Sequence, residues 1–392
     1  MPNNSGYDVI IAGAGPAGST AGYLLAGAGL RVLIIDRRTF PREKLCAGLI
    51  THKTVLLMER VYGESPSSLR EQGIINYTSG RYEIYCREKP LFAKDMEIPF
   101  HFIDRDTFDS HLLDRARTAG ANVLEGDGVK SLNMLGSTVT TRSGKRVSAS
   151  LILGADGVNS RVRRSFPVDL FGRNEWSQLL ASAHEVMVSR ERLHQQISHP
   201  RIAFGFVDCG YAWIFPNRDR VKIGMCSLNS RGRKDLLPAF RAFLRSLDRD
   251  GFSTEQVRSS VLPYGCFLPD PAFRNVLLLG DAAGLADPLL GEGIFYAQRS
   301  AELAALAILA QREHLPSAAA TQQVREHYLA LLGKYVFPEL IYAEKIRTFL
   351  FSRLSRFGYL PLKILMNVFG DMPEETVHGL RSFRWMKKVS AG

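Results

Sequence analysis

Gly13, Gly15 and Gly18 stand at the spacing of a phosphate-cradling turn, and Asp36 closes the next apolar run. The first glycine permits a tight turn, the second lets backbone approach a pyrophosphate, and the third lets a helix pack closely on a strand. Ala17 lies in the same turn, where unpaired N–H groups at a helix start meet phosphate charge. Asp36 offers a carboxylate to a ribose diol, with Arg37 beside it. A second set of residues is Asp156-Gly157. A third, Gly280-Asp281, continues through Asp287-Pro288 to Gly291, Gly293 and Ile294. Its carboxylate can hold a second ribose or ribityl chain, and the helix opened by Gly291 and Gly293 presents N–H groups to a ligand. This is the chemistry of dinucleotide binding, and the glycine unit alone does not decide between NAD and FAD. Cys46 is the most reactive-looking sulfur, because Arg42 and Lys44 beside it favour a thiolate. The plain alternative is a packed small thiol.

Positioning these residues takes a definite set of elements. Asp8 to Ala12 is a short apolar strand, Ser19 to Ala28 a small-residue helix, and Arg31 to Ile35 a second strand, which together make one βαβ unit. That context makes the glycine spacing credible, since GxGxxG alone is a weak signal. A helix is expected from about Thr51 to Tyr62, a small antiparallel layer from Gly73 to Phe102, and an amphipathic helix from Asp104 to Gly120. Strands follow at Asn122 to Leu124, Ser137 to Arg142 and Ser150 to Leu153. Long alternating runs then fill Leu179 to Val188, Arg201 to Val207, Tyr211 to Phe215 and Val221 to Ser227. Asp235 to Leu247 reads as a helix, Asn275 to Leu279 as a buried strand and Gly293 to Gln311 as a long helix; the remainder is helical with breaks at Pro338, Pro361 and Pro373.

The fold class is therefore α/β: a Rossmann-like nucleotide domain with an inserted antiparallel-sheet substrate domain and a C-terminal helical region. The boundaries read as 1–72, 103–174 and 264–314 for the nucleotide domain, 73–102 and 175–263 for the substrate domain, and 315–392 for the helical region.

Lys+Arg 50 against Asp+Glu 39 favours anionic partners, although a dispersed solvated surface accounts for the same balance. No recognised nucleic-acid module accompanies the charge, so nucleic acid is not expected. Five cysteines without CxxC spacing argue against a zinc site or a disulfide framework and fit a reducing cytosol. No signal peptide precedes the first strand and no run is long enough to span a bilayer. The expectation is a cytoplasmic protein whose only membrane contact is peripheral.

The three motifs in this order resemble the flavoproteins of the p-hydroxybenzoate hydroxylase fold, whose Arg-x-x-Phe-Asp pattern is matched by Arg105, Phe108 and Asp109. The resemblance covers roughly residues 7 to 310. It implies FAD as the cofactor, with Arg105 near it and a helix start beside the flavin's N1–C2=O edge. Two further segments narrow the likeness. Pro41 to Gly48 is similar to the Pro-x-x-Lys-x-Cys-Gly-Gly stretch of geranylgeranyl reductases, with Ala47 in place of the first glycine. Tyr211-Ala212-Trp213-Ile214-Phe215-Pro216 is similar to that family's Tyr-x-Trp-x-Phe-Pro lipid-pocket motif.

The implied activity is saturation of C=C bonds in a prenyl chain on a lipid, quinone or diphosphate, by hydride from reduced flavin N5. An isolated alkene is not electron-poor, so hydride addition must be coupled to protonation in a dry pocket. Tyr211, Trp213, Phe215, Pro216, Phe204 and Phe206 supply apolar walls, with Pro288 and Gly291 on the substrate side. Cys46, Ala47 and Gly48 fall near the isoalloxazine by resemblance, with Cys46, Tyr211 and Trp213 as the catalytic candidates. No proton donor is named: His52, His101 and Tyr211 are candidates on chemistry alone, and the plain alternative for each histidine is a structural or exposed role. No second GxGxxG follows, so electrons come from an external nicotinamide, ferredoxin or other reduced carrier. The tail from Tyr328 to Lys388 pairs Phe349, Leu350, Phe351, Leu354, Phe357 and Leu360 with cations, a pattern suited to acidic lipid or to plain helix packing. The rival readings are a monooxygenase or halogenase of the same fold, and a flavin electron-transfer or lipid-binding protein.

Overall fold

Strands that are apolar without alternation belong inside a parallel sheet covered on both faces, and the first two apolar runs are of that kind. The computed structural model of the protein describes residues 6–167, 176–177, 180–193, 196–228, 235–247, 256–265, 267–357, 363 and 370–384, side chains excepted at 353–357. β1 (Tyr7–Ala12) leads into α1 (Pro16–Gly27) and returns as β2 (Val32–Ile35). β3 (Leu49–Ile50), α2 (His52–Tyr62) and α3 (Pro66–Glu71) precede a long hairpin, β4 (Ile75–Cys86) and β5 (Lys89–Ile103). α4 (Arg105–Thr118) is followed by β6 (Asn122–Leu124), β7 (Val129–Asn133), β8 (Thr138–Thr141) and β9 (Arg146–Gly154). Then come β10 (Leu180–Ser189), β11 (Arg201–Phe204), β12 (Gly210–Pro216), β13 (Arg220–Leu228), α5 (Leu237–Leu247) and β14 (Arg258–Pro263). β15 (Ala272–Phe273) and β16 (Val276–Leu278) are followed by α6 (Ile294–Leu309), α7 (Ala318–Tyr335), α8 (Phe337–Phe357) and α9 (Met372–Val377).

The chain forms two compact units, each assembled from three separated stretches. The first takes Met1–Glu43, Asp106–Trp176 and Gly265–Leu340, and the second Lys44–Arg105, Ser177–Tyr264 and Ile341–Gly392. The first boundary thus falls after Glu43, earlier than the break after residue 72 read from composition. The cause is pairing: β3 joins β5, and α2 packs on the same strand. The C-terminal helices are present as expected but divided, α7 packing its Val324, Tyr328 and Leu332 into the first unit's core. The interruption expected at Pro338 is present: α7 ends at Tyr335, the chain turns at Val336, and Pro338 takes the first turn of α8, where its missing N–H costs nothing.

In the first unit the sheet order is β15-β16-β9-β1-β2-β6, parallel from β16 to β6, with the β7–β8 pair attached through β9. In the second the order is β14-β10-β13-β12-β11-β4-β5-β3, antiparallel except between β11 and β4. Tyr82, Phe100, Phe102, Trp213 and Phe215 are buried on one face of this sheet, and Phe351 of α8 packs with them. α5 covers the other face with Phe240, Phe243 and Leu244.

A buried histidine ties the end of the second unit to its start. His378 follows α9; its Nδ1 accepts the His52 N–H at 3.2 Å and its ring stacks on Phe100 at 4.8 Å. Burial, with His52, Lys53 and His101 nearby, pushes its pKa down to about 3. Burial, with Arg70 and His52, holds His101 at about 4. Both rings stay neutral when folded, whereas an unfolded histidine protonates below about 6.5. The unfolded chain therefore binds the extra protons, and stability is lost as pH falls from about 6.5 towards the folded values. His378→Phe is expected to remove part of that loss, about 2 kcal/mol between about pH 6.5 and about pH 5, read as the difference between the two proteins in urea unfolding. Identical slopes for the two would contradict it.

Candidate functional site

The nucleotide motifs of the first unit sit at the C-terminal ends of adjacent parallel strands, the edge where open α/β sheets bind ligands. Gly13 to Gly18 follows β1, Asp156-Gly157 follows β9 and Gly280-Asp281 follows β16. The strand ends are stitched together: Gly13 N–H donates to Ile35 O (2.7 Å), Ala155 N–H to Ala12 O (2.8 Å) and Leu279 N–H to Gly154 O (2.9 Å).

The glycines are required by contact. Gly13 has φ +101, and a Cβ there would lie 2.3 Å from Ala155 O; at Gly18 it would lie 1.8 Å from Gly13 O. Gly15 caps α1 with extended backbone, and Pro16 takes the first helical place. Ser19 makes the first intrahelical bond, to Gly15 O at 2.9 Å, so the N–H groups of Ala17 and Gly18 precede the ladder at the positive helix end. Asp36 is buried and fastens this turn, Oδ2 accepting the Ala14 N–H at 2.7 Å and Oδ1 the Arg38 N–H at 2.8 Å. Each carboxylate oxygen keeps a second lone pair. Arg37 is exposed. A glycine cradle that admits no side chain, a helix start and an acidic strand end fit the phosphates and ribose of a dinucleotide.

Asp156 is spent largely on its own turn. It accepts from Ser160 Oγ (2.5 Å), Arg161 N–H (2.6 Å) and Val162 N–H (3.3 Å). Burial raises its pKa against those bonds. The short helical turn that follows carries Arg163, which donates to Ala282 O at 3.0 Å and Val158 O at 2.7 Å. The second motif is thereby tied to the third. Gly280, at φ +52, leaves its absent Cβ 3.0 Å from that of Ala297, which lets α6 approach closely. The Asp281 carboxylate stands near the start of α6, 3.2 Å from where a Cβ on Gly293 would be. Asp287 is fully buried and accepts the N–H groups of Leu289 (2.8 Å) and Leu290 (2.9 Å), folding the Pro288–Gly291 loop ahead of that helix. Ile294 is its first residue and is buried.

Two first-unit residues were not read as site residues from sequence. Arg42 pairs with the fully buried Asp109 at 3.1 Å and lies over the Phe40 ring at 4.8 Å. Its Nη2 also stands 3.5 Å from the Cβ place of Gly15, which sets a cation at the glycine turn. Arg42 is therefore committed to Asp109 and the turn. Arg163, the second, had no signal in its spacing.

In the second unit, Cys46 is half-buried and its Sγ accepts the Gly48 N–H at 3.4 Å. Gly48 has φ +80 and its Cβ place is 2.3 Å from Ile103 O, so glycine is obligatory there; Ala47, at the departed position, is half-buried. Arg105 is buried at the head of α4. Tyr211 meets Trp213 edge-on at 6.2 Å, and Phe215 meets Phe102 at 5.6 Å. Pro216 ends the strand, buried. Phe204 joins this layer beside Tyr211, but the chain turns at Gly205 (φ +92) and Phe206 packs on Phe243 on the opposite face. Phe206 is core.

Two charges lie within this aromatic layer. Glu185 is buried on β10, and its Oε2 accepts the Trp213 Nε1–H at 3.3 Å. Burial pushes its carboxyl up to about 7, against the pull of Lys222 and that hydrogen bond. Lys222 is buried on β13, its Nζ 2.9 Å from Asp104 Oδ1 and donating to Ile103 O at 2.9 Å. The available sequence signal was a charged residue inside an apolar strand. His101 and His52 belong to the neutral cluster under His378, so neither carries a spare proton near neutral pH. Burial raises the thiols of Cys209 and Cys226, the latter to about 12, which leaves them unreactive. Among the described residues there is no cluster of His, Cys, Asp or Glu suited to a metal, and no helix long and apolar enough to cross a membrane.

The family model described as FAD binding domain matches residues 6–310. An uncharacterised protein of Methanosarcina barkeri is 31% identical over 76% of this chain and 73% of its own length. A geranylgeranyl diphosphate reductase of Rhodobacter capsulatus is 29% identical over 78% of this chain and 75% of its own. The crystal structure of a geranylgeranyl bacteriochlorophyll reductase-like protein from Thermoplasma acidophilum shares the fold at a TM-score of 0.75 and 21% identity, covering 88% of this chain and 87% of that one.

Proposed function

Since the chain belongs to the FAD binding domain family and is an FAD-dependent oxidoreductase, we propose that it saturates C=C bonds of a prenyl chain carried on a lipid, a quinone or a diphosphate. The carrying observation is the layer formed by Tyr211, Trp213 and Phe215, an apolar wall suited to an alkene chain. The likeness to a geranylgeranyl diphosphate reductase supports the same substrate class.

Bound FAD supplies hydride from its reduced N5. Gly13, Gly15, Ala17 and Gly18 hold the pyrophosphate, assisted by Arg42, and Asp36 and Arg37 take the adenosine end. Gly157, Gly280 and Asp281 close on the ribityl side, with Asp156 holding its turn in shape. Gly291, Gly293 and Ile294 present helix-start N–H groups to the ring. Arg105, Cys46, Ala47 and Gly48 are the second unit's candidates for the cofactor, and Pro216, Pro288 and Gly291 are candidates for substrate binding. On this reading the first unit carries most of the flavin contacts and the second most of the prenyl contacts. Electrons reach the flavin from a reduced carrier outside the chain.

Anaerobic mixing of the dithionite-reduced holoprotein with geranylgeranyl diphosphate tests the reading. Flavin reoxidation with products gaining hydrogen in pairs supports it. Turnover of an aromatic substrate with oxygen, to a hydroxylated or halogenated product, would replace it with the oxygenase reading. Cys46→Ala is expected to keep FAD while turnover falls about tenfold or the extent of reduction changes. Unchanged turnover and product pattern would remove Cys46 from the chemistry.

A peripheral contact with anionic membrane belongs to the same proposal, and the tail supports it in a narrower form than its composition implied. Phe349 is 59% exposed, in line along α8 with exposed Lys345 and Ile341. Phe351 is turned into the aromatic layer, and Arg347 is buried, donating to Tyr264 O. The side chains of Leu354 and Phe357, and Leu360 altogether, lie outside the described residues.

A further inference from the structure

Arg258, Glu185, Gly224 and Trp213 are successive cross-strand partners on β14, β10, β13 and β12. Glu185 and Trp213 therefore stand on the same face, one strand apart on either side of Gly224. A Cβ on Gly224 would lie 2.1 Å from Trp213 Cζ2 and 2.3 Å from Cε2, so the indole occupies the space that glycine leaves empty. From there its Nε1–H reaches Glu185 Oε2 at 3.3 Å. Both residues are nearly shielded from solvent, Glu185 at 3% and Trp213 at 5%. A carboxyl in such a place costs free energy unless it is satisfied, and an apolar residue would fill the same strand position without that cost.

We propose that Glu185 is a positioning residue for prenyl reduction, anchoring the Trp213 indole flat over Gly224 so that the ring forms a fixed wall of the slot. The inference rests on the proposed function and assigns a role within that site. An indole has two soft torsions, and one hydrogen bond at its far edge fixes both. A wall of defined position decides where an alkene stops along the slot, so loosening it alters which double bonds are reduced. The charges that face Glu185 are Lys222 on β13, Arg258 on β14 and Asp104 after β5. The first two favour the carboxylate and the third opposes it. The carboxylate is the stronger acceptor for the indole N–H.

The test uses holoprotein labelled with fluorotryptophan, the Trp213 signal being assigned with Trp213→Phe. Glu185→Ala is expected to shift and broaden that signal and to lower kcat/KM for geranylgeranyl diphosphate about tenfold. Glu185→Gln keeps an acceptor and is expected to retain activity within about twofold. Its Trp213 signal should lack the titration near neutral pH that is expected of the wild type. In a Trp213→Phe background, Glu185→Ala should add nothing. An unmoved Trp213 signal in Glu185→Ala, or an equal loss of activity with and without Trp213, would overturn the inference. Wild-type protein that never reduces a prenyl substrate would instead remove the proposed function, and the role with it, whatever the fluorine spectrum shows.

Discussion

Gly18→Ala is expected to leave the purified protein without bound FAD. The added Cβ would sit 1.8 Å from Gly13 O and 3.0 Å from Gly13 C, so it strikes the backbone of the very turn proposed to receive the pyrophosphate. No rotamer relieves a clash with main chain, and α1 is held from the other side by α6. The turn must open, and the N–H groups of Ala17 and Gly18 lose their common aim. A loss of at least a hundredfold in FAD affinity is expected, about 3 kcal/mol, read from the flavin spectrum of the purified variant and from titration with FAD. Gly333→Ala is the control: on α7, nothing lies within 4 Å of its Cβ place. That variant should keep full flavin and gain about 0.5–1 kcal/mol of stability from helix propensity. A yellow Gly18→Ala protein with wild-type flavin content would show that the turn does not hold the cofactor.

Gly224→Ala should do the opposite, sparing FAD and disabling reduction. Its Cβ would enter the Trp213 ring, with Cη2 at 2.8 Å as well as the two closer atoms, so the indole must swing off the sheet. Overpacking of this kind costs about 1–3 kcal/mol of stability. The larger effect falls on catalysis, because the displaced ring loses Glu185 and enters the space assigned to the prenyl chain. Prenyl turnover is expected to fall by one to two orders of magnitude with flavin content unchanged. Wild-type turnover would place the substrate away from Trp213.

What could be read from residues alone followed sequence distance. The βαβ unit announced itself because its strand, turn, helix and acidic end are contiguous, and α4 did so through Phe108, Leu112, Leu113 and Ala116, all fully buried. The aromatic layer was legible because Tyr211, Trp213 and Phe215 alternate within one strand. Pairings formed across long separations left no local trace: β11 lies parallel to β4, and β3 joins β5. The same blindness hid Glu185 beneath Trp213, Arg42 against Asp109 and the passage of Phe351 into the second unit. Asp156 shows the converse. Its Asp-Gly signature was plain, but only the folded structure shows that the carboxylate braces its own loop.

The three-piece build of each unit governs when the protein can fold. The middle of the first sheet, β9 between β1 and β16, is incomplete until residues 276–278 have been made. The second sheet likewise waits for β14. A growing polypeptide thus leaves the ribosome with its glycine-rich amino terminus long synthesised and its strand edges still bare. Loop closure over such distances is slow, and bare edges invite aggregation. Nascent chains stalled before residue 276 should therefore depend on chaperones, and no continuous fragment shorter than nearly the whole chain contains either unit complete.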